Sequence, residues 1–190
     1  LSPGILNWLS GDVFTRQWYT YAYGHGSGLK LHVDNRFDKI YDYWKCKGDF
    51  GSCMTGRNRD EFYAYSVNAK AAYITDEHDY IVARAILFTD VTDQHGKRWR
   101  LLERQYASNK DDTLKRLLID KLIHGEYIDG YKVIGASCSD ADAFVDISGN
   151  SLKNKKFEID CRLDIHDTLS YQDSFKWYNN SKKKAYNYEP

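Results

Sequence analysis

Between Lys70 and Tyr106 the chain carries three apolar segments parted by short polar turns, and this stretch predicts the centre of the fold. Lys70 to Thr75 and Tyr80 to Thr89 are rich in β-branched and aromatic residues and flank Asp76-Glu77-His78-Asp79, the pattern of a hairpin. The second run alternates around Arg84, yet its apolar density predicts cover on both faces, as in a central strand. After the turn Asp93-Gln94-His95-Gly96, alternation from Lys97 to Tyr106 places Trp99, Leu101, Glu103 and Gln105 on one side. Arg98, Arg100, Leu102, Arg104 and Tyr106 fall on the other. Side chains so charged are expected on a solvent face, with Arg84, Glu103 or Arg104 pairing across the ladder.

Leu114, Leu117, Leu118, Leu122 and Ile123 recur at three- and four-residue spacing between Asp111-Asp112 and His124-Gly125, which predicts a helix packed on the sheet. Two further helices are expected, one after Ser10-Gly11-Asp12 and one over about residues 57–67. Tyr131 to Gly135 reads as a fourth strand, and Phe144 to Ile147 with Lys156 to Leu163 as another hairpin. Residues 29–50 show no clean period. The expected architecture is one α+β domain over 1–190, an antiparallel meander with helices on one face. Residues 1–10 and 180–190 are expected as docking or flexible ends.

Composition narrows the function classes. The 27 basic and 27 acidic residues cancel, so no global field argues for nucleic acid or an anionic membrane. No run approaches the ~18 apolar residues of a membrane helix, which makes a soluble, intracellular protein the expectation. The 16 tyrosines suit contact surfaces as well as half-buried sheets and favour a protein partner. Lys182-Lys183-Lys184 with Tyr186 and Tyr188 forms a basic aromatic tail, and single-stranded nucleic acid is its alternative partner.

Cys46, Cys53, Cys138 and Cys161 lack the close pairing of a zinc site, so no metal is expected and free thiols are the default. Cys53 precedes an expected helix, where backbone N–H groups would favour a thiolate. A thiol enzyme would use Cys53 as nucleophile, a histidine as base and Asp173 as orienting acid.

Gly51-Ser52-Cys53-Met54, Ala83-Arg84-Ala85-Ile86-Leu87, Leu102-Glu103-Arg104-Gln105-Tyr106 and Tyr171-Gln172-Asp173-Ser174-Phe175 together resemble a group of uncharacterised tailed-bacteriophage proteins. That group pairs an S-C-M motif with A-R-A-L, D-R-x-Y and Y-M-D-T-F motifs. Here Glu103 replaces the acid before arginine, Gln105 follows it, and Gln172 and Ser174 alter the last motif. The resemblance, over about residues 50–178, implies a phage-type accessory protein acting in the infected bacterial cytoplasm or carried on the virion. It brings no activity with it. Candidate binding residues are Arg84, Glu103, Arg104, Tyr106, Tyr171, Phe175 and Trp177.

The order of elements is also similar to that of the N-acetyltransferase superfamily. Ala107 to Asp112, however, holds two acids and no glycine where that superfamily carries its pyrophosphate loop, so no acyl-CoA or other cofactor is expected.

Overall fold

The computed structural model describes residues 28–56, 66–161 and 173–190. The helices expected after Asp12 and over most of 57–67, the docking of residues 1–10, and Tyr171 lie outside the described residues. Ser66, at the edge of the second expected helix, makes an antiparallel bridge to Cys161.

The axis of the molecule is β3 (Ile81–Asp93), 13 residues long. It follows β1 (Lys30–Asp34), a short helix α1 (Phe37–Tyr41) and β2 (Ala69–Thr75), and precedes β4 (Arg98–Leu102) and the two-residue β5 (Tyr106–Ala107). The hairpin and meander expected from the apolar pattern are present, with β2 and β4 on either side of β3. Residues 29–50, without a period in sequence, contribute both β1, paired antiparallel to β2, and α1.

Helix α2 (Asp112–His124) starts where Asp111 accepts the Thr113 N–H at 2.8 Å and ends at Gly125. Its Leu117, Leu118, Ile119 and Leu122 are fully buried against Ala72, Ala83, Ala85 and Leu87 on one face of the sheet. On the other face Ile86, Phe88 and Val91 pack with Ile40 and Tyr41 of α1, Trp99, Phe157 and Phe175. Each such large side chain removed from water contributes ~1.5–3 kcal/mol. The high apolar density of β3 therefore reflects cover on both sides.

The second half of the chain departs from expectation. The fourth strand, β6 (Gly130–Lys132), lies parallel to β4. Phe144 to Ile147 and Lys156 to Leu163 do not form a hairpin: β7 (Phe144–Asp146) pairs with β6, whereas β8 (Phe157–Asp160) pairs with the far end of β3. The fully buried Phe157 draws β8 toward Trp99, 6.1 Å away, so core packing overrides sequence proximity. β9 (Trp177–Asn179) and β10 (Lys184–Tyr186) complete the sheet, and residues 180–190 thereby join it through β10. No helix among the described residues is long and apolar enough to cross a membrane.

Asp93 anchors the β3–β4 turn. Its carboxylate accepts the N–H groups of His95 and Lys97 at 2.8 and 3.0 Å and the Trp99 indole at 3.1 Å, with Lys155 at 3.3 Å. Burial alone would raise its pKa, but these donors hold it down at about 2. A depressed carboxylate supplies stability above its unfolded value that is lost as pH falls through the folded one. Asp93→Asn is therefore expected to cost ~1–3 kcal/mol at pH 7 and less near pH 2, measured by urea unfolding at both pH values.

Candidate functional site

Past Leu102 the alternation that put Glu103 and Tyr106 on opposite sides breaks down. Leu87 pairs with Leu102 and Arg84 with Tyr106, which leaves one residue more on the second strand than a regular ladder needs. Residues 103–105 form this bulge, and Tyr106 consequently lies opposite Arg84, in the same apolar cluster as Trp99 and Leu101.

The expectation of a charged solvent face is corrected at the same place. Arg84 is 2% exposed and Glu103 0%. The Glu103 carboxylate takes the Lys132 ammonium at 3.2 Å and the backbone N–H groups of Arg104 and Ser174 at 3.1 Å each. Lys132, also 0% exposed, donates further to the carbonyls of Cys138 at 3.2 Å and Ser137 at 3.5 Å. The Gln105 amide donates to the carbonyls of Glu103 and Lys132, both at 2.9 Å, and fastens the bulge to β6. This buried pair is fully bonded, the condition under which burying two charges is tolerable.

Arg84 is held differently. Its guanidinium lies 4.9 Å from the Tyr106 ring centre, 5.0 Å from Tyr41 and 5.6 Å from Phe50. One Nη2–H donates to Thr55 Oγ1 at 2.8 Å, and the buried Nε–H has no hydrogen-bond partner. No carboxylate among the described residues forms an ion pair with it. Arg104 stands 5.0 Å from the same Tyr106 ring.

Asp173 enters this network half-buried, with a left-handed φ of 52°. Burial and the negative charge of Glu103 push its pKa up to about 7, against the pull of Lys132, Arg104 and Arg84. The Tyr106 phenol is driven upward by burial and by the Asp173 charge.

A cleft of about 690 Å³ is lined by Tyr43, Trp44, Cys46, Asp49, Phe50, Thr55 and Tyr80 among others. Trp44 is 80% exposed, Tyr43 62% and Tyr80 45%, a rim of aromatic rings held out in solvent. Phe50 and Thr55 form part of the cleft lining and also touch the guanidinium, while Arg84 itself is not a lining residue. Burial pushes the Cys46 thiol up while the Arg84 charge pulls it down, which places this cysteine beside the same group. The wall depends on glycine: Gly48 and Gly51 have φ of 79° and 62°. A Cβ at Gly48 would come within 2.6 Å of Asn109 Oδ1.

Sequence reasoning thus named Arg84, Glu103, Arg104, Tyr106 and Asp173, and the fold brings them into one network. Phe175 is fully buried and packs on Phe88 at 4.9 Å, as core. Trp177 is half-buried in β9, with Lys176 over its ring at 5.1 Å. Cys53 is exposed and free, in a turn over 53–56, and forms no hydrogen bond with a described histidine or with Asp173. In the tail, Lys184 bonds Glu158 and Asp160 at 3.0 Å each, and Tyr186 is buried. The residues missed were Lys132, Tyr41, Phe50, Thr55 and the Tyr43–Trp44 rim. A lysine within the apolar run Tyr131 to Ile134 and the adjacent pair Tyr43-Trp44 were the available signals. No group of three or more metal-ligating side chains occurs among the described residues.

No protein-family model matches the chain, and no curated protein matches it. Among solved structures it is similar to the crystal structure of a ribosomal-protein-alanine N-acetyltransferase from Brucella melitensis biovar Abortus 2308. That likeness has 16% sequence identity and a TM-score of 0.35, over 57% of this chain and 80% of that one. A score of this size supports no statement about reaction or substrate.

Proposed function

We propose that this is a phage-type accessory protein that binds a protein partner, a host factor or virion component, through the cleft rimmed by Tyr43, Trp44 and Tyr80. The observation that carries the reading is the exposure of these three large aromatic side chains around one concavity. Large rings held in solvent lose little entropy on contact and bury much area, the character of binding hot spots. The sequence resemblance supports the phage setting.

The thiol-enzyme alternative has an exposed Cys53 but no described base bonded to it, and the nucleic-acid alternative finds Lys184 and Tyr186 already engaged in the sheet. Neither has an observation that favours it over the cleft.

Affinity capture from phage-infected cells, with tagged wild type beside Trp44→Ala and Trp177→Ala, tests the proposal. Trp44→Ala is expected to weaken capture at least about tenfold, a hot-spot loss, while Trp177→Ala retains it. Equal capture by all three chains would sink the cleft as the binding surface.

A further inference from the structure

The walls of the cleft are richer in hydrogen-bond donors than in acceptors. Thr55 Oγ1 accepts from the Arg84 guanidinium at 2.8 Å and Ser52 Oγ accepts the Met54 N–H at 3.2 Å, so each hydroxyl keeps its own hydrogen to donate. The Trp44 indole N–H, a donor only, and the Tyr43 and Tyr80 hydroxyls make no hydrogen bond with a described residue. Among the described residues of the lining the one charged side chain is Asp49, an acid. One of its oxygens accepts the Gly51 N–H at 2.8 Å, and the other lies 3.5 Å from the Lys110 ammonium. That ion pair is exposed on both sides, where a second cation competes for the carboxylate at little cost.

We infer that the cleft is a docking groove for a proline-rich segment of the partner, with a basic residue at the end of the segment that meets Asp49. This deepens the binding reading and rests on it. An extended proline helix has carbonyls with no internal partners and, at each proline, no N–H. It therefore brings the acceptors that the Trp44, Ser52 and Thr55 donors call for, and asks for almost none in return. The Tyr43 and Trp44 rings stand at 88° with centres 5.4 Å apart, two walls of a corner that receives a compact, puckered pyrrolidine ring. Such a segment is extended before it binds, so little entropy is lost on contact with the rim. Other occupants fit less well. An α-helix has most of its carbonyls bonded within itself and would leave the wall donors unmatched. A neutral glycan brings a donor with every hydroxyl, and Asp49 is the only carboxylate of the described lining to accept them. An acidic segment would be repelled by that same carboxylate.

The full chain, nitrogen-15-labelled, is titrated while the Trp44 indole N–H resonance, assigned by its loss in Trp44→Phe, is followed. Four probes are used, the peptides blocked at both termini: hexaproline ending in arginine, hexaproline ending in glutamate, a glycine-serine peptide of equal length ending in arginine, and maltohexaose. The proline-arginine peptide is expected to move the resonance saturably and to bind about threefold more tightly than the proline-glutamate one, the size of an exposed ion pair. Asp49→Asn is expected to remove that preference, and Trp44→Ala to weaken binding of the proline-arginine peptide, read by calorimetry, at least about tenfold. A resonance that moves equally with the glycine-serine peptide, that responds to maltohexaose instead, or that responds to none of the probes overturns the inference. The first readout is made in the wild type, so poor folding of a variant does not blunt it. Should the proline peptides fail while capture from infected cells still depends on Trp44, the proline assignment falls and the binding reading stands. Should they bind at Trp44 while capture is equal in all variants, the groove assignment stands and the reading of this cleft as the capture surface falls.

Discussion

Glu103→Ala is expected to destabilise the protein by about 3–5 kcal/mol, the cost of leaving a buried charge without its partner. The substitution strands the Lys132 ammonium, which is 0% exposed and keeps the carbonyls of Ser137 and Cys138 as described acceptors. It also removes the acceptor for the Ser174 and Arg104 N–H groups, which freeze the bulge and the 173–175 segment against each other. For a chain of this length the loss corresponds to a fall in Tm of about 10 °C. The double variant Glu103→Gln with Lys132→Met is expected to recover most of it. The amide oxygen can still accept from one of the two N–H groups, and the uncompensated charge is gone. Denaturant unfolding of the wild type, Glu103→Gln, Lys132→Met and the double variant gives the coupling energy. Additive losses would mean that the two side chains do not act as a pair.

The second large effect concerns pH. Burial and Glu103 raise the Asp173 carboxyl from 3.8 to about 7 in the folded chain. A group raised in this way contributes stability that is complete below its unfolded value and lost as pH rises through the folded one. Wild-type stability should therefore decline across pH 4 to 7 from this group and level off above 7. Asp173→Asn abolishes that component and keeps the backbone content, since asparagine accepts the left-handed conformation that this position shows. Allowing for partial exposure, the variant should gain about 2 kcal/mol over wild type at pH 8 and little at pH 4. Parallel stability–pH curves for the two chains would show that the fold does not raise the Asp173 carboxyl.

The β2–β3–β4 meander and α2 were legible because each has a clean period: two along the strands, three to four along Leu114 to Ile123. The later strands were not, because their partners are chosen by long-range packing. Phe157 finds Trp99 and Phe144, and no local pattern encodes that. The site was half legible. Arg84, Glu103, Arg104 and Tyr106 were named as binding residues and Asp173 as an orienting acid, yet the charge of Arg84, Glu103 and Arg104 predicted a solvated face. Single-sequence alternation does not reveal a one-residue bulge, and that bulge swings Tyr106 toward Arg84. Lys132, the counter-charge that makes burial of Glu103 affordable, stands far from it in sequence and so escaped notice. Tyr43 and Trp44 lie in a segment whose mixed apolar and charged residues match neither period.

The partner is proposed to bind at the cleft rimmed by Tyr43, Trp44 and Tyr80. The most direct measurement replaces Trp44 with the photo-cross-linking residue p-benzoylphenylalanine, and in a separate chain replaces Tyr127, which is 42% exposed beyond the end of α2. Irradiation in phage-infected cells is expected to give one discrete adduct from position 44 and none from position 127. The same adduct from both positions, or from 127 alone, would contradict the account.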